Sequence, residues 1–510
     1  MTDRQSRTES SESVGTSMTE ISQLPAIMSS ARAGFREYSQ TPLDQRLKIL
    51  RKLRHRIVER QDEISDVIAA STGKIKVEAL TTEVMLVADA ILHLEKTAKK
   101  ALATTRVKTP ITFIGKQSYV EYKPRGIVAI IAPWNFPFML AMVPAVEALA
   151  AGNALVIKPS EETPPVGMLI ESIFQEIGLP PGVVQVIYGA GDLGEALVRS
   201  GPDFVHFTGS VTTGRAIAAI TGPELIPTTL ELGGKDPMIV FEDAHLERAV
   251  NGAIWGAFAN SGQVCMSVER LYLQNSIFAP FVARLIQETE KLRLGDDAND
   301  DIGRMTTHKQ VAVVKRHVKE ALDGGATLLT GDHPDTWDEG SLKLRPVILA
   351  NVKQDMAVMQ EETFGPVLPI MQFESAEEAI ELANDSSFGL TSSVWTRDLA
   401  KGKQVISRMR TAGALLNDVL LTIGNPYLPY GGDKESGVGY DHADLGVQNF
   451  SLQTAVMVDR GRKLREVNWF PYLGKEELFQ NLLQSYWSSS RNFGTFGLSY
   501  LKLLRKGRKG

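Results

Sequence analysis

Two residues that can act together in covalent catalysis occur in polar, glycine-containing segments. The only cysteine, Cys265, lies in NSGQVCMSVER, and Glu231 lies in LELGGK. A thiolate is a strong nucleophile, and a carboxylate can act as a base that activates water to release an acyl group. The alternative is a buried cysteine that packs as a small hydrophobic residue. The turn-like residues around Cys265 favour the nucleophile.

A glycine-rich segment, GAGDLG at 189–194, follows a predicted strand and opens a predicted helix. It matches the G-x-G-x-x-G pattern of dinucleotide-binding turns. That pattern also requires an acidic residue about 20 positions later, which holds the ribose. Between residues 204 and 223 the chain has neither Asp nor Glu. The segment therefore does not complete the usual fingerprint.

A second glycine-rich segment, GSVTTGR at 209–215, resembles the phosphate-binding loop of nucleoside triphosphatases. It has Arg215 in the place of the lysine that contacts the phosphates in that loop. Nucleoside triphosphatase activity is therefore not expected. Gly209 and Ser210 lie between a predicted strand and the start of a helix, where backbone N–H groups and the helix dipole favour a phosphate. A purely structural turn remains the alternative.

Lys158 and Glu161 follow a predicted buried strand in VIKPSEETP. A carboxylate can accept hydrogen bonds from ribose hydroxyls, and an ammonium group can join that network. The alternative is that Glu161 and Glu162 only favour the start of a helix near Pro164 or Pro165.

The elements that must position these residues can be predicted from periodicity. Thr41 and Pro42 are typical of a helix start, and helical spacing continues to Gly73 and again over 77–102. Residues 106–122 predict an exposed hairpin or sheet edge. Five short apolar runs then alternate with helical segments and predict one parallel sheet. They cover residues 127–132, 154–157, 183–188, 204–207 and 238–241. A second α/β region is expected from about 251 to 437.

The composition excludes several classes of protein. With 510 residues, a formal charge of -5 and no basic cluster in its main part, the chain is not expected to bind nucleic acid. One cysteine excludes an internal disulfide and fits a reducing compartment. Residues 1–22 predict a disordered tail without the apolar core of a signal peptide. No apolar stretch is long enough for a membrane span, so a cytoplasmic location is expected.

Six motifs occur in order, and together they resemble the aldehyde dehydrogenase superfamily over residues 43–460. They are PWNFP (133–137), KPSE (158–161), FTGS (207–210), LELGGK (230–235), GQVC (262–265) and EETFGPV (361–367). The resemblance implies an α/β fold with a Rossmann-type cofactor domain, an α/β catalytic domain and a small oligomerisation sheet. It also implies oxidation of an aldehyde to the carboxylic acid through a cysteine thiohemiacetal and a thioester.

The resemblance assigns roles to the catalytic residues. Cys265 resembles the nucleophile, and Asn135 with the backbone N–H of Cys265 resembles the pair of donors that holds the oxyanion. Glu231 resembles the base that activates water.

The resemblance also implies a nicotinamide cofactor and no metal. Glu362 and Phe364 resemble the contacts to the nicotinamide ribose and ring, and Lys158 and Glu161 those to the adenosine ribose. A carboxylate at Glu161 repels a 2′-phosphate, which favours NAD over NADP, although NADP stays open. The remaining cofactor contacts that the resemblance implies are Pro133, Trp134, Gly191, Gly209, Ser210, Gly214 and Leu232.

The implied domains follow the same likeness. Residues 23–105 and 123–232 are expected to bind the dinucleotide, and 233–440 to form the catalytic domain. Strands in 106–122 and 441–460 are expected to join subunits into a homodimer or homotetramer.

Residues 461–510 form an extension with apolar residues and a basic end, LKLLRKGRKG, similar to the dimeric branch of the family that uses fatty aldehydes. It lines a long-chain entrance, rests on anionic lipid, or packs as a solvated helix on a partner subunit. A medium or long-chain apolar substrate is therefore expected. Two other functions stay open: a branch that transfers the acyl group to coenzyme A, against which Glu231 argues, and an inactive member that acts as a binding protein.

Overall fold

The computed structural model describes residues 18–297 and 299–508. Eighteen α-helices are found in these residues. In chain order they are α1 (Leu24–Tyr38), α2 (Leu43–Glu59), α3 (Gln61–Thr72), α4 (Lys76–Ala79), α5 (Met85–Ala101), α6 (Met139–Ala151), α7 (Pro164–Gln175), α8 (Gly191–Arg199), α9 (Val211–Thr221), α10 (Leu246–Phe258), α11 (Phe278–Thr289), α12 (His308–Asp323), α13 (Ala357–Gln360), α14 (Ala376–Asn384), α15 (Leu399–Ile406), α16 (Ala443–Asn449), α17 (Glu476–Trp487) and α18 (Phe493–Arg508).

Eighteen strands are found in the same described ranges. They are β1 (Thr105–Val107), β2 (Gln117–Pro124), β3 (Ile127–Ile131), β4 (Ala154–Lys158), β5 (Val184–Val186), β6 (Phe204–Thr208), β7 (Thr228–Glu231), β8 (Asp236–Val240), β9 (Val268–Gln274), β10 (Thr327–Thr330), β11 (Val347–Ala350), β12 (Val367–Phe373), β13 (Phe388–Gly389), β14 (Thr391–Trp395), β15 (Gly413–Leu416), β16 (Asp433–Lys434), β17 (Gly437–Val438) and β18 (Ser451–Val458).

The first large sheet has six strands in the order β17-β7-β6-β3-β4-β5. Strands β3 to β7 are parallel, and β17 pairs antiparallel with β7 at the edge. β3, β4 and β6 are buried along their whole length, as their β-branched sequences predict. Helix α6 is buried at every position and closes the core on this sheet.

The second large sheet has seven strands in the order β10-β11-β12-β9-β8-β14-β15. All neighbours are parallel except β10 and β11. The apolar run at 238–241 was expected in the first sheet, but β8 lies in the middle of the second. The strand that completes the first sheet is β7, whose sequence TTLE is too short and polar to stand out as a buried run. The mixed α/β class itself is confirmed.

The chain divides into two compact units. One contains residues up to 103 and 122–453, and the other contains 104–121 and the residues from 454 on. The second unit holds a three-stranded sheet in the order β1-β2-β18, in which β1 and β2 form the expected antiparallel hairpin. Its α17 and α18 pack around a small apolar core of their own, formed by Val467, Leu482, Phe496, Tyr500 and Leu503.

Other sequence predictions meet smaller corrections. Helix α2 is capped by Pro42 without a side-chain hydrogen bond, so Thr41 is not the cap. The helix expected over 77–102 contains a π-helical turn at Leu80–Val84. Of the predicted N-terminal tail, residues 1–17 lie outside the described residues, while Ile21 and Ser22 belong to the 3₁₀ turn that leads into α1. No helix in the described ranges is both long and apolar enough to cross a membrane.

Candidate active site

A cavity of about 950 Å³ opens at the carboxyl ends of β3, β4, β6 and β7. Each of these strands ends at a candidate residue or is followed by one. The carboxyl ends of parallel strands lie at one edge of a sheet, so these residues come together there. The cavity is lined by thirteen of the fourteen residues singled out from the sequence: Pro133, Trp134, Asn135, Lys158, Glu161, Gly191, Gly209, Ser210, Glu231, Leu232, Cys265, Glu362 and Phe364.

Gly214, the remaining candidate, does not line the cavity. It lies inside α9 and faces Leu232, and a Cβ at this position would meet the Leu232 Cδ atoms at 2.6 and 2.9 Å. That separation is too short for a methyl group unless Leu232 moves. Gly214 therefore permits close packing of α9 against a residue that does line the cavity.

Cys265 is positioned by a loop that folds back after α10. Asn260, Ser261 and Gly262 have positive φ angles of 51°, 55° and 72°. A Cβ at Gly262 would meet the carbonyl oxygen of Gly365 at 2.2 Å, so the close approach requires glycine there. The Asn260 side chain donates to the Gln263 carbonyl at 3.1 Å and secures the turn that presents Cys265.

Among the described residues, the Cys265 thiol has one hydrogen-bond partner, the Tyr430 hydroxyl, at an Sγ to Oη distance of 3.4 Å. The pKa of the thiol is raised to about 12, chiefly by burial and to a smaller extent by the carboxylates of Asp236, Glu362 and Glu231, and the Tyr430 hydrogen bond opposes this rise. The resting group is a thiol, so its attack on a substrate requires removal of the proton.

Glu231 is the last residue of β7 and is 4% exposed. Neither carboxylate oxygen has a hydrogen-bond partner within the part of the chain that the structure describes. Burial and the nearby Asp441 raise the pKa of this carboxyl well above its usual range. A buried carboxyl that is not consumed by structural bonds and binds a proton readily is suited to act as a general base.

Asn135 lies after β3 and is held from both sides. Its side-chain Nδ2 donates to the Gln263 backbone carbonyl at 3.1 Å, and the Asn135 backbone carbonyl accepts from Lys74 Nζ at 2.8 Å. Lys74 in turn forms a fully buried ion pair with Glu83 at 2.6 Å. An amide nitrogen carries two N–H groups, so this bond leaves the second one available, and Asn135 lines the cavity.

Glu362 and Phe364 face the cavity from the loop before β12. Glu362 accepts a hydrogen bond from the Gly234 backbone at 3.0 Å, and burial raises its pKa to about 8. Phe364 has a positive φ of 51° and packs edge-on against Trp134, with 5.5 Å between ring centroids. The backbone N–H of Phe364 donates to Glu269 at 2.7 Å, which stabilises this conformation.

The other end of the cavity has the chemistry of a nucleotide site. The ammonium of Lys158, whose side chain is buried, contacts the half-exposed Glu161 carboxylate at 3.0 Å. The Ser210 side chain caps α9 by accepting from the Thr213 N–H. Gly209 lies against the Phe207 ring, where a Cβ would approach to 2.5 Å. The glycine backbone at the start of α9 fits a pyrophosphate, and Lys158 with Glu161 fits a ribose.

Two features of the site were missed from the sequence. Tyr430 is 165 residues from Cys265 in the chain, and only the fold brings the two together. Lys74 lies in the loop between α3 and α4 and Glu83 in the π-helical turn before α5, and nothing in the sequence around either residue indicates a buried ion pair. The run PYGG that contains Tyr430 is the one local signal, since its glycines indicate a turn.

Comparison with known proteins agrees with this geometry. The model of the Aldehyde dehydrogenase family matches residues 6–456. A 4,4'-diapolycopene aldehyde oxidase from Methylomonas sp is 42% identical over 436 residues, covering 85% of this chain and 81% of that protein. The human 4-trimethylaminobutyraldehyde dehydrogenase is 33% identical, covering 84% and 87%.

Solved structures give the same result. An NAD-dependent aldehyde dehydrogenase from Sinorhizobium meliloti has a TM-score of 0.84 at 32% identity and covers 89% of this chain and 90% of that chain. The NAD+ complex of the aldehyde dehydrogenase from Bacillus cereus has a TM-score of 0.83 at 30% identity, covering 87% and 90%. The chain belongs to the aldehyde dehydrogenase family and is an NAD(P)-dependent enzyme.

Proposed function

We propose that this chain oxidises an aldehyde to the carboxylic acid with Cys265 as the covalent nucleophile. The observation that supports this most is the convergence of Cys265, Asn135 and Glu231 on one cavity, with both carboxylate oxygens of Glu231 unpartnered among the described residues. The Cys265 thiol loses its proton to water, and the sulfur then adds to the carbonyl carbon. The oxyanion is held by the second Asn135 N–H and the backbone N–H of Cys265.

Deacylation is the task of Glu231. Glu362 and Phe364 would hold the nicotinamide end of the cofactor, which would supply the hydride acceptor that converts the thiohemiacetal into a thioester on Cys265. Glu231 then takes a proton from water, the hydroxide adds to the thioester carbon, and the carbon–sulfur bond breaks to release the acid. A base that can activate water favours hydrolysis of the thioester over transfer of the acyl group to coenzyme A. It also favours an active enzyme over an inactive binding protein.

Cys265→Ser tests the nucleophile directly. We expect the variant to lose aldehyde-dependent NAD reduction by at least about a thousandfold, because a serine hydroxyl is a much weaker nucleophile at neutral pH. Retention of the wild-type rate contradicts the mechanism. Product analysis with and without coenzyme A separates acid from acyl-thioester, and a tightly bound dinucleotide without turnover of any aldehyde indicates a binding protein.

The cofactor contacts support NAD in preference to NADP. The Glu161 carboxylate beside Lys158 fits the two ribose hydroxyls and repels a 2′-phosphate. We expect Glu161→Gln to weaken the preference for NAD, so that the dissociation constants of NAD and NADP, measured by fluorescence, come closer together. An unchanged ratio contradicts this role for Glu161.

A long apolar aldehyde is the proposed substrate class. It is supported by the relative from Methylomonas, whose name specifies 4,4'-diapolycopene aldehyde. A profile of kcat/KM across aldehydes from short aliphatic to long-chain, aromatic and polyene compounds tests the proposal. The value is expected to rise with apolar length, and a maximum at a short aldehyde contradicts it.

Contact with an anionic bilayer through the second unit is proposed from its surface. The segment between β18 and α17 exposes Trp469, Phe470, Tyr472 and Leu473, with Leu473 90% exposed. Lys506 Nζ from the basic end of α18 lies against this segment, since a Cβ at Gly474 would meet it at 2.3 Å. Exposed aromatic side chains beside a cation fit the boundary between acyl chains and anionic headgroups.

Flotation of the full chain with vesicles tests this contact. We expect binding to phosphatidylglycerol-containing vesicles, weaker binding to pure phosphatidylcholine, and loss in a Phe470→Ser, Leu473→Ser double variant. Leu225→Ser is the matched control, because Leu225 is 88% exposed in the first unit. Absence of flotation of the full chain shows instead that the surface faces solvent. A double variant that floats like the wild type but changes its oligomeric state shows that the surface binds a second copy.

A further inference from the structure

The loop between α13 and β12, which carries Glu362 and Phe364, is held from below the cavity at Thr363. Thr363 lies between these two residues, is 1% exposed and does not line the cavity. The backbone N–H groups of Thr363 and Phe364 donate to the two carboxylate oxygens of Glu269 at 2.8 and 2.7 Å. The Thr363 carbonyl accepts from Gln310 Nε2 at 2.8 Å. The backbone of the loop is therefore fixed by two side chains from other elements.

The Thr363 hydroxyl contacts two further buried groups. Lys235 Nζ and His317 Nδ1 each lie 3.1 Å from Thr363 Oγ1. Lys235 also forms an ion pair with Glu269 at 2.5 Å. All four side chains are 2% exposed or less. Each contact shares an atom with the next, so they form one connected network, and a buried network with satisfied partners makes its surroundings rigid.

The outer end of this network is the half-exposed ion pair of Arg316 and Glu361. Arg316 Nη2 lies 2.7 Å from Glu361 Oε2 and 2.9 Å from His317 Nε2. Such exposed pairs contribute little to stability. What this pair does supply is a guanidinium in contact with one nitrogen of a buried histidine.

The Arg316 contact assigns the proton of a neutral His317. A guanidinium only donates hydrogen bonds, so Nε2 accepts from Arg316 and the N–H lies on Nδ1. The two N–H groups of Arg316 Nη2 serve both His317 and Glu361, whose Oε2 is 3.2 Å from Nε2. The His317 Nδ1–H then donates to Thr363 Oγ1, whose two lone pairs accept from His317 and Lys235.

The charges around the imidazole favour this neutral form. The pKa of His317 is lowered, chiefly by burial and to a smaller extent by Lys235 and Arg316, while Glu361 and Glu269 oppose the shift. These groups face His317 from α12, from β9 and from the segments before β8 and β12. At neutral pH the imidazole is therefore uncharged and available as a single donor to Thr363.

We propose that His317 is a positioning residue for the nicotinamide end of the cofactor site. Its Nδ1–H holds Thr363, and Thr363 holds the flanking residues Glu362 and Phe364 at the cavity. Phe364 has a φ of 51°, which a bulky residue keeps only where its surroundings impose it. The role rests on the proposed function, in which Glu362 and Phe364 hold the nicotinamide ribose and ring.

Hydrogen–deuterium exchange of the cofactor-free protein tests the effect on the loop. His317→Leu fills the buried space but has no donor for Thr363. We expect the amides of Thr363 and Phe364 to exchange about tenfold faster, while peptides from β3 and β4 keep the wild-type rates. His317→Asn, whose side-chain N–H can replace Nδ1–H, is expected to restore most of the protection.

Dissociation constants for NAD and ADP separate the two ends of the cofactor site, because ADP lacks the nicotinamide ribose and ring. His317→Leu should raise the constant for NAD by about tenfold and leave that for ADP unchanged. Thr363→Val should do the same, and it decides the question if His317→Leu does not fold. The double variant should be no weaker than either single variant, because both remove the same hydrogen bond.

His93→Leu is the matched control. His93 is a buried histidine on α5 with no hydrogen-bond partner for either ring nitrogen among the described residues. Its variant is expected to keep wild-type exchange at 361–367 and wild-type NAD affinity.

The positioning role is overturned if His317→Leu and Thr363→Val keep the wild-type exchange and NAD affinity. It is also overturned if exchange rises equally across the chain, or if the affinities for NAD and ADP fall equally, since either result indicates a general effect on the fold. A wild-type protein that reduces no NAD with any aldehyde would instead overturn the proposed function.

Discussion

At the scale of single residues, the site holds the proposed nucleophile as a protonated thiol. Burial and three carboxylates raise the pKa of the Cys265 thiol, and only the Tyr430 hydroxyl lowers it. A free cysteine titrates near 8.5. The free protein therefore holds Cys265 mainly as a nearly unreactive thiol, which limits side reactions at this cysteine.

This environment predicts the pH dependence of alkylation. Because the pKa of Cys265 is raised to about 12, the thiolate fraction of the free enzyme increases about tenfold per pH unit between 7 and 9. Inactivation by iodoacetamide should follow that slope without a plateau. A plateau near pH 9 would contradict the raised pKa.

Tyr430→Phe removes the hydroxyl that stabilises the thiolate. A hydrogen bond to a charged group contributes about 1.5–3 kcal/mol, so the alkylation rate at each pH should fall by about tenfold. Tyr427→Phe is the matched control, because that exposed ring packs against His93 rather than Cys265. Equal alkylation rates for the two variants would remove Tyr430 from this role.

Glu231→Gln separates the two halves of the proposed reaction. The amide fills the same space but cannot take a proton from water. Stopped-flow measurement should show the first-turnover burst of NADH at close to the wild-type rate, followed by a steady state slowed by about a hundredfold to a thousandfold. Loss of the burst together with the steady state would mean that Glu231 acts before hydride transfer or supports the fold.

At the scale of elements, close approach between backbone segments forms the site. Gly262 and Gly234 allow neighbouring loops to approach within contact distance of the Cys265 loop, since a Cβ at either would meet a carbonyl oxygen at 2.2 Å. The glycines in GQVC and LELGGK therefore have a packing role. Gly214 has the same packing role for α9, and the cofactor contact that the family resemblance implies there stays a prediction.

Gly214→Ala tests this interpretation. The added methyl group must displace Leu232 or α9, so the dissociation constant for NAD, measured by fluorescence titration, should rise by about tenfold. A Leu232→Ala background opens the space that the methyl group needs, and Gly214→Ala should then have a much smaller effect. An equal effect in both backgrounds would indicate a direct cofactor contact at Gly214 instead.

At the scale of the whole molecule, β18 is an edge strand of the small sheet. It is eight residues long, and Leu452, Met457 and Val458 are all exposed. Long apolar edges in soluble proteins pair with another chain unless charges prevent it. This agrees with the oligomerisation role that the sequence predicts for 441–460.

Leu452→Lys combined with Val458→Lys tests that role. The two side chains lie on the same face of β18, since six positions separate them. The pair of charges should shift the protein to monomer in sedimentation velocity runs, while Leu225→Lys in the first unit should leave the mass unchanged. An unshifted mass for the double variant would place the subunit contact elsewhere.

The sequence by itself determined the candidate nucleophile, the order of the motifs and most of the strands, because these depend on residue type and local periodicity. It placed the run at 238–241 in the first sheet, since periodicity predicts a strand but not its partners. Tertiary structure alone decided that β7 completes that sheet, and that Tyr430, Asp441 and His206 meet near Cys265 and Glu231. The contacts from Cys265 to Tyr430 and from His206 to Asp441 join residues more than a hundred positions apart, and the burial that raises the pKa values of Cys265 and Glu231 exists only after the chain has folded.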